Sequence, residues 1–126
     1  MRIGDVMTPN PITIGPRESC AAAREKLRAH HIHHLLVVDQ GQVVGAISIR
    51  ELTGKRDHEL VSHLMVDDIA VATSETSVRE AATLMIGRSS GCLPILDKLG
   101  RIVGIITTTD LLRLLSRNAA ARPAVA

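Results

Sequence analysis

Two segments of the chain each place a glycine, a hydroxyl and an acid at the same spacing. They are Gly45, Ser48 and Glu51, and Gly104, Thr107 and Asp110. In each, a strand ends, a hydroxyl is presented and a helix begins. Free amides at a helix start bind anions, and a nearby acid can accept hydrogen bonds from the two hydroxyls of a ribose. The same residues also fit a simpler role, an N-cap hydroxyl with an acid in the first turn, which stabilises a helix by about 1 kcal/mol.

Four histidines crowd the end of the first predicted helix: His30, His31, His33 and His34. They fit a solvated helix C-terminus, where positive charge is favourable against the helix dipole. They also fit a metal site, because imidazoles at i and i+4, or at i and i+2 on a strand, can share an ion. In a third interpretation, His33 and His34 face an anion such as a phosphate. Phosphate binding would then strengthen as the pH falls through about 6.5, where imidazole gains charge.

The two segments close two copies of one pattern, residues 7–52 and residues 65–111. Met7 aligns with Met65 at an offset of 58 residues, and after one inserted turn residue Gly45 aligns with Gly104 at an offset of 59. A unit of this length predicts a compact α/β half-domain rather than a solenoid repeat. We expect two halves, residues 1–57 and 58–116, packed about a pseudo-two-fold axis with a ligand cleft between them. Residues 117–126 are predicted to form a disordered tail.

Each copy predicts the order strand, helix, strand, strand, helix, which makes a mixed α/β (α+β) fold. The helices are predicted over residues 20–31 and 78–87, and Ser77 and Glu80 have the spacing of a capping box. Aliphatic hairpins follow each helix, and their lack of alternation predicts burial on both faces. A polar linker over residues 53–62, with one helical turn, joins the copies.

The composition excludes several classes of function. The absence of Phe, Tyr and Trp removes the stacking surfaces that most single-strand and RNA-binding modules use, and a net charge of +2 gives little attraction for nucleic acid. No stretch approaches the ~20 apolar residues that span a bilayer. Cys20 and Cys92 lack disulfide or metal-site spacing and suit a reducing cytosol. We therefore expect a cytoplasmic protein that binds neither nucleic acid nor membrane.

Taken with the duplication, the closing motifs resemble a tandem pair of cystathionine-β-synthase (CBS) domains, a Bateman module. The matching residues are Met7-Thr8-Pro9 and Met65-Val66 at the openings, His34–Asp39 and Cys92–Asp97 in the middle, and the two glycine, hydroxyl and acid segments at the ends. The resemblance covers nearly the whole chain except the tail. It implies two pseudo-symmetric βαββα repeats packed through their sheets, with clefts that bind AMP, ADP, ATP or S-adenosylmethionine.

The resemblance also implies the residues of each site. In the first site Asp110 would hold the ribose, Thr107 would lie near the phosphates, and the strand Val71-Ala72-Thr73 would bracket the adenine. His33 and His34 would meet the phosphates from the other half. The second site would combine Ser48, Glu51, Thr13 and Ile14 with Cys92, which stands where a basic side chain is wanted. Glu51 is also longer than an aspartate. We therefore predict one competent site and one weak or empty site.

These features predict a non-catalytic sensor of adenine nucleotides that signals to a partner protein, with no catalytic residue, metal or other cofactor. By family analogy we expect a homodimer. The alternative is a scaffold or dimerisation module that binds no nucleotide. A metal or redox sensor that combines the His30–His34 cluster with Cys92 is a third hypothesis.

Overall fold

The fold was determined as a computed structural model, which describes residues 1–118. After a 3₁₀ turn at Ile3–Asp5, the elements in chain order are β1 (Thr8–Pro9), β2 (Thr13–Ile14), α1 (Cys20–His30), β3 (His34–Asp39), β4 (Gln42–Ser48), α2 (Ile49–Leu52), α3 (Val61–Leu64), α4 (Val78–Gly87), β5 (Cys92–Leu96), β6 (Ile102–Thr107) and α5 (Thr108–Asn118). Helix α5 thus extends two residues into the segment expected as a tail. The rest of that predicted tail, residues 119–126, lies outside the described residues.

Side-chain caps define where the long helices begin. The Ser19 hydroxyl accepts from the Ala22 amide at 3.1 Å and starts α1, and the Ser77 hydroxyl accepts from the Glu80 amide at 3.0 Å and starts α4. Helix α1 ends one residue earlier than predicted because His31 adopts a left-handed conformation, with φ of 53°. The predicted box at Ser77 and Glu80 shows only the bond from the Glu80 amide within residues 1–118. Reciprocal bonds form at Ser48 and Glu51, and at Thr107 and Asp110, where each backbone amide donates to the other side chain at 2.9 and 3.2 Å.

The strands form two three-stranded sheets. One has the order β2-β3-β4, with β2 parallel and β4 antiparallel to β3, and the other has the order β1-β6-β5, with both pairs antiparallel. A bridge between Ala72 and Ile95 matches the β2–β3 pairing, and a bridge between Ala46 and Val66 matches the β1–β6 pairing. The predicted hairpins and the mixed α/β fold are therefore confirmed.

The opening segments of the two repeats are exchanged between the sheets. Strand β1 belongs to the first repeat in sequence but pairs with β6 of the second, where Thr8 lies opposite Ile105. The equivalent segment of the second repeat pairs with β4 of the first, through two hydrogen bonds between Ala46 and Val66 at 2.8 and 2.9 Å. Each sheet is thus completed by a segment from the other repeat.

Three aliphatic clusters form the core. The first lies under α1 and includes Val61 from the second repeat, and the second lies under α4 and includes Ile3 from the first repeat. The third joins the two sheets and consists of Leu36, Ala46, Cys92 and Ile105. The halves therefore pack through their sheets, as the fold prediction required. Within residues 1–118, no helix has the length and apolar character needed to cross a bilayer.

Candidate functional site

The two glycine, hydroxyl and acid motifs open onto two separate cavities. The cavity at Asp110 (the Asp110 cavity) has a volume of about 410 Å³ and is lined by residues 8, 10–12 and 30–34 together with Ile105, Thr107, Thr109, Asp110 and Arg113. The cavity at Glu51 (the Glu51 cavity) has a volume of about 470 Å³ and is lined by residues 46–48, 66, 68, 69 and 88–92 with His34, Arg50 and Glu51. Both volumes lie in the range of small-molecule sites.

Asp110 is held by three hydrogen bonds from two elements. Its Oδ1 accepts from the Thr8 hydroxyl at 3.0 Å, and its Oδ2 accepts from the Thr107 amide at 2.9 Å and from the Thr107 hydroxyl at 3.0 Å. The residue is only 8% exposed. Strand β1 supplies Thr8, so the exchange of opening segments fixes an acid of the second repeat with a hydroxyl of the first.

Glu51 is held less extensively. Its Oε1 accepts from the Ser48 amide at 2.7 Å and from the Ser48 hydroxyl at 2.8 Å, which completes the capping box of α2. The residue equivalent to Thr8 is Val66, which carries no hydroxyl to donate. The simpler helix-capping role is therefore realised at both motifs, and only Asp110 gains an additional bond from the opposite repeat.

The histidine segment reaches the Asp110 cavity because α1 ends at His30 and β3 begins at His34. All four predicted histidines line this cavity. His34 also lines the Glu51 cavity, where a Cβ added to Gly91 would lie 2.6 Å from its Nε2 atom. Burial, and then the neighbouring His33, lower the pKa of His34 below its ordinary value of 6.5, while Glu51 acts in the opposite direction. His34 is therefore a poor cation at neutral pH.

The two cavities hold different sets of ionisable side chains. Apart from its histidines, the Asp110 cavity holds one cation, Arg113, and one acid. The Glu51 cavity holds two arginines and two acids, and one of these arginines, Arg88, is already paired with Asp68 at 2.8 Å. Each cavity thus keeps one arginine and one motif acid, and the cavities differ in their histidines, of which four line the Asp110 cavity and one lines the Glu51 cavity.

The structure brings most of the predicted site residues together, with one systematic difference. Thr107, Asp110, His33 and His34 share one cavity, and Ser48, Glu51 and Cys92 share the other. The predicted bracketing residues Val71, Ala72, Thr73, Thr13 and Ile14 line neither cavity. They pair instead on the far side of each hairpin, with β5 or β3.

The reason for this difference is the exchange of the opening segments. Because β1 pairs with β6, the residues that pass in front of Thr107 and Asp110 are residues 8–12. In the Glu51 cavity the equivalent residues are 66, 68 and 69. Which residues line each cavity depends on which sheet each opening segment joins. The duplicated sequence does not predict that pairing.

Sequence reasoning also missed three polar residues at these cavities. Thr8 was predicted only as part of the opening motif Met7-Thr8-Pro9, although its hydroxyl donates a hydrogen bond to Asp110. Arg113 lies one helical turn after Asp110, so the i, i+3 spacing could have placed it on the same face of α5. Arg50 directly precedes Glu51 and lines the second cavity.

The metal and redox hypothesis gains no support. Among residues 1–118, no group of three or more His, Cys, Asp or Glu side chains is arranged to hold a metal ion. Burial raises the pKa of the Cys92 thiol to about 11, so this sulfur stays protonated at neutral pH.

Comparison with known proteins agrees with this architecture. The sequence model of the CBS domain family matches residues 3–57 and residues 61–117. The chain belongs to the CBS domain family. It carries two CBS domains in tandem, and a CBS domain-containing protein of Dictyostelium discoideum is 32% identical, with 90% of each chain covered.

Three solved CBS structures are similar to this CBS pair. The CBS domain pair of protein MJ0100, in complex with 5′-methylthioadenosine and S-adenosyl-L-methionine, has a TM-score of 0.85 at 26% identity and covers 94% of this chain and 98% of its own. CBSX2 in complex with AMP has a TM-score of 0.79 at 27% identity, with 93% and 97% covered. The cytosolic domain of the Mg²⁺ channel MgtE in complex with ATP has a TM-score of 0.78 at 28% identity, with 90% and 48% covered.

CBS domains also occur as parts of longer relatives. This chain spans 43% of the length of a related protein of Methanocaldococcus jannaschii and 61% of one of Methanopyrus kandleri. An inosine-5′-monophosphate dehydrogenase of Methanocaldococcus jannaschii matches over 24% of its length. In relatives named as enzymes, the CBS pair is thus a side domain.

Proposed function

We propose that this CBS pair is a non-catalytic regulatory module that binds an adenine nucleotide in the Asp110 cavity. The observation that carries the proposal is the Asp110 carboxylate, buried at the junction of the two repeats and oriented by Thr8 and Thr107. A carboxylate offers about four acceptor positions, and the three hydrogen bonds leave one on Oδ1. That position suits a ribose hydroxyl.

The remaining lining supports the other parts of a nucleotide. Aliphatic side chains of Ile12, Ile32 and Ile105 offer contact to a base, since no aromatic residue exists to stack on it. Arg113 offers a cationic group to phosphate, and the histidine side chains offer hydrogen bonds to it. Similar CBS structures hold AMP, ATP, or 5′-methylthioadenosine and S-adenosyl-L-methionine, which supports this ligand class here. The expected affinity is micromolar, about −8 kcal/mol.

The Asp110 cavity is lined by both repeats, and this position gives a bound ligand a way to signal to a partner protein. A ligand at Asp110 touches residues 8–12 and 30–34 of the first repeat and the β6–α5 junction of the second. Such a ligand favours one relative arrangement of the repeats, and a partner protein reads that arrangement. Both cysteines are free, which supports a place in the reducing cytoplasm. The Glu51 cavity, with Cys92 and paired charges, is proposed as the weak or empty site.

The proposal includes a homodimer. Helix α5 exposes Leu112 and Leu115 to 59% and 63%, and α4 exposes Ile86 to 79%, which is apolar area that a second copy could cover. Sedimentation equilibrium at micromolar concentration should give twice the chain mass of 13.5 kDa. A mass of a single chain would remove the dimer from the proposal.

Calorimetric titration with adenosine, AMP, ADP, ATP and S-adenosylmethionine tests the binding claim. Asp110→Asn keeps the size of the side chain but removes its charge and one acceptor, so it should weaken binding at least about tenfold. Glu51→Gln is the matched control, because glutamine also completes a capping box, and it should leave the affinity within about twofold. Asn is preferred to Ala, since Ala would leave the Thr8 and Thr107 donors without a partner.

The two main hypotheses give different titrations. Saturable heat that Asp110→Asn abolishes and Glu51→Gln preserves supports the nucleotide sensor. Equal binding by both variants places the ligand elsewhere. No heat with any of the ligands favours the scaffold alternative.

A further inference from the structure

A further cavity adjoins the Asp110 cavity along helix α5. It has a volume of about 430 Å³ and is lined by Val6, Asp110, Arg113, Ser116 and Arg117. Two of these residues, Asp110 and Arg113, also line the Asp110 cavity. Asp110 and Arg113 therefore border both cavities, and Arg117 lines the second one.

This further cavity has a cationic surface. Arg113 and Arg117 are four residues apart on α5, so their side chains lie on one face of the helix. Neither is among the ion pairs formed within residues 1–118. Two like charges at this spacing destabilise a helix, and an anion bound between them removes that cost. Ser116 adds a hydroxyl to the same cavity.

The first repeat lacks this arginine pair, so the two repeats of the chain can be compared directly. Helix α2 of the first repeat ends at Leu52, whereas α5 continues to Asn118. At the offset of 59 residues, Arg113 and Arg117 align with Gly54 and His58, which lie beyond α2. Ser116 corresponds to Asp57, whose carboxylate is paired with Arg24 at 2.7 Å. The arginine pair therefore belongs to the Asp110 half alone and does not follow from the duplicated fold.

We propose that Arg113 and Arg117 bind the terminal phosphates of a nucleoside diphosphate or triphosphate whose ribose lies at Asp110. This inference rests on the proposed function and narrows its ligand class. Guanidinium groups stay charged at every physiological pH and bind phosphate oxygens through paired N–H donors. Selection for phosphate number thus lies with the arginines of α5, and the site prefers ATP and ADP to AMP and to S-adenosylmethionine.

The test is a ligand series measured by calorimetry at pH 7.5 with EDTA, so that no Mg²⁺ masks the phosphates. Adenosine, AMP, ADP and ATP are titrated into the unmodified protein, Arg117→Gln, Arg117→Lys and Arg79→Gln. Arg79 is the matched control, because it is an exposed helical arginine that lines none of the cavities described above. Far-UV circular dichroism confirms that each variant is folded.

The unmodified protein should bind ATP at least about tenfold more tightly than AMP, since each charge-assisted contact is a strong one. Arg117→Gln should reduce this ATP-to-AMP ratio at least about fivefold, Arg117→Lys should keep most of it, and Arg79→Gln should leave it unchanged. An unchanged ratio in Arg117→Gln, or AMP binding as tight as ATP binding, would overturn the inference.

The series separates this inference from the proposed function. If AMP and adenosine bind in a manner that requires Asp110 while ATP binds no more tightly, the inference fails and the nucleotide sensor stands. If no ligand binding requires Asp110, the proposed function fails and the inference fails with it.

Discussion

The two motif acids occupy equivalent positions, but they differ in length by one methylene group and in the neighbour that the opposite repeat supplies. Asp110 is short, buried, and bonded to hydroxyls from both repeats. Glu51 is longer, and its carboxylate bends back to close the capping box of α2. The replacement of Thr8 by Val66 removes the donor that would connect Glu51 to the opposite repeat. This asymmetry is the residue-level reason to expect one strong and one weak site.

His34 should make the folded state less stable as the pH falls. Burial holds its folded pKa below the ordinary value of 6.5, with His33 and Arg50 acting in the same direction and Glu51 against them. Between 6.5 and that lower value, the unfolded chain binds more protons than the folded chain, so acidification favours unfolding. Urea unfolding should therefore give a lower free energy of unfolding at pH 5.5 than at pH 7.5.

His34→Gln is the variant that isolates this effect. It keeps a polar side chain but cannot titrate, so the stability difference between pH 7.5 and pH 5.5 should shrink. His58→Gln, on an exposed turn, should leave that difference unchanged. A pH dependence that survives in His34→Gln would show that another group is responsible. Because its pKa is lowered, His34 also contributes little positive charge for phosphate binding near neutral pH.

At the scale of elements, the exchange of the two opening segments depends on two glycines, which allow each segment to lie close to the strand it joins. A Cβ at Gly104 would lie 2.5 Å from the Met7 sulfur and 3.0 Å from the Thr8 carbonyl oxygen. A Cβ at Gly45 would lie 2.7 Å from the Val66 carbonyl oxygen. The methionines and glycines that reveal the duplication are therefore partners in contact across the two repeats.

Gly104→Ala should push β1 away from β6. The Met7 side chain can move, but the Thr8 backbone cannot do so without weakening the pairing, so we expect a loss of about 1–3 kcal/mol in stability. The displaced Thr8 should also lose its bond to Asp110, and nucleotide affinity should fall. Gly87→Ala is the control, because a Cβ there meets nothing within 4 Å, and its stability should be unchanged or slightly raised. Urea unfolding and calorimetry measure both effects, and equal behaviour of the two variants would contradict this account of β1.

At the scale of the molecule, the exchange makes each core dependent on both repeats. Ile3 is fully buried beneath α4 of the second repeat, and Val61 is fully buried beneath α1 of the first. A third cluster joins the sheets directly. These contacts predict a single cooperative unfolding transition rather than separate unfolding of two domains.

Ile3→Ala should lower the stability of the whole molecule by about 2–5 kcal/mol, since it removes a buried aliphatic side chain. Leu99→Ala, at a residue 76% exposed, should change stability by less than about 0.5 kcal/mol. Far-UV circular dichroism in urea is the measurement, because the chain has no Trp or Tyr to report by fluorescence. Two transitions, with only one shifted by Ile3→Ala, would contradict the shared core.

Most of this fold could be predicted from the sequence because the duplication, the aliphatic hairpins and the helix caps are local signals. The two acids and the histidine segment could be predicted as parts of a site for the same reason. The pairing of β1 with β6 could not, since it joins residues 95 or more positions apart and depends on how the halves dock. This non-local pairing explains why Val71–Thr73 and Thr13–Ile14 were expected in cavities that are lined instead by residues 8, 10–12, 66, 68 and 69.

The most direct test of nucleotide binding at Asp110 is an NMR titration of the protein, labelled at its isoleucine methyl groups, with AMP. If AMP binds at Asp110, the methyl signals of Ile12 and Ile105 should shift in a saturable manner, because both residues line the Asp110 cavity. Signals of Ile47 and Ile69, in the Glu51 cavity, should shift little. A further cavity, lined by Ile49, lies between α1 and α2. Shifts confined to Ile47 and Ile69, or to Ile49, would contradict nucleotide binding at Asp110.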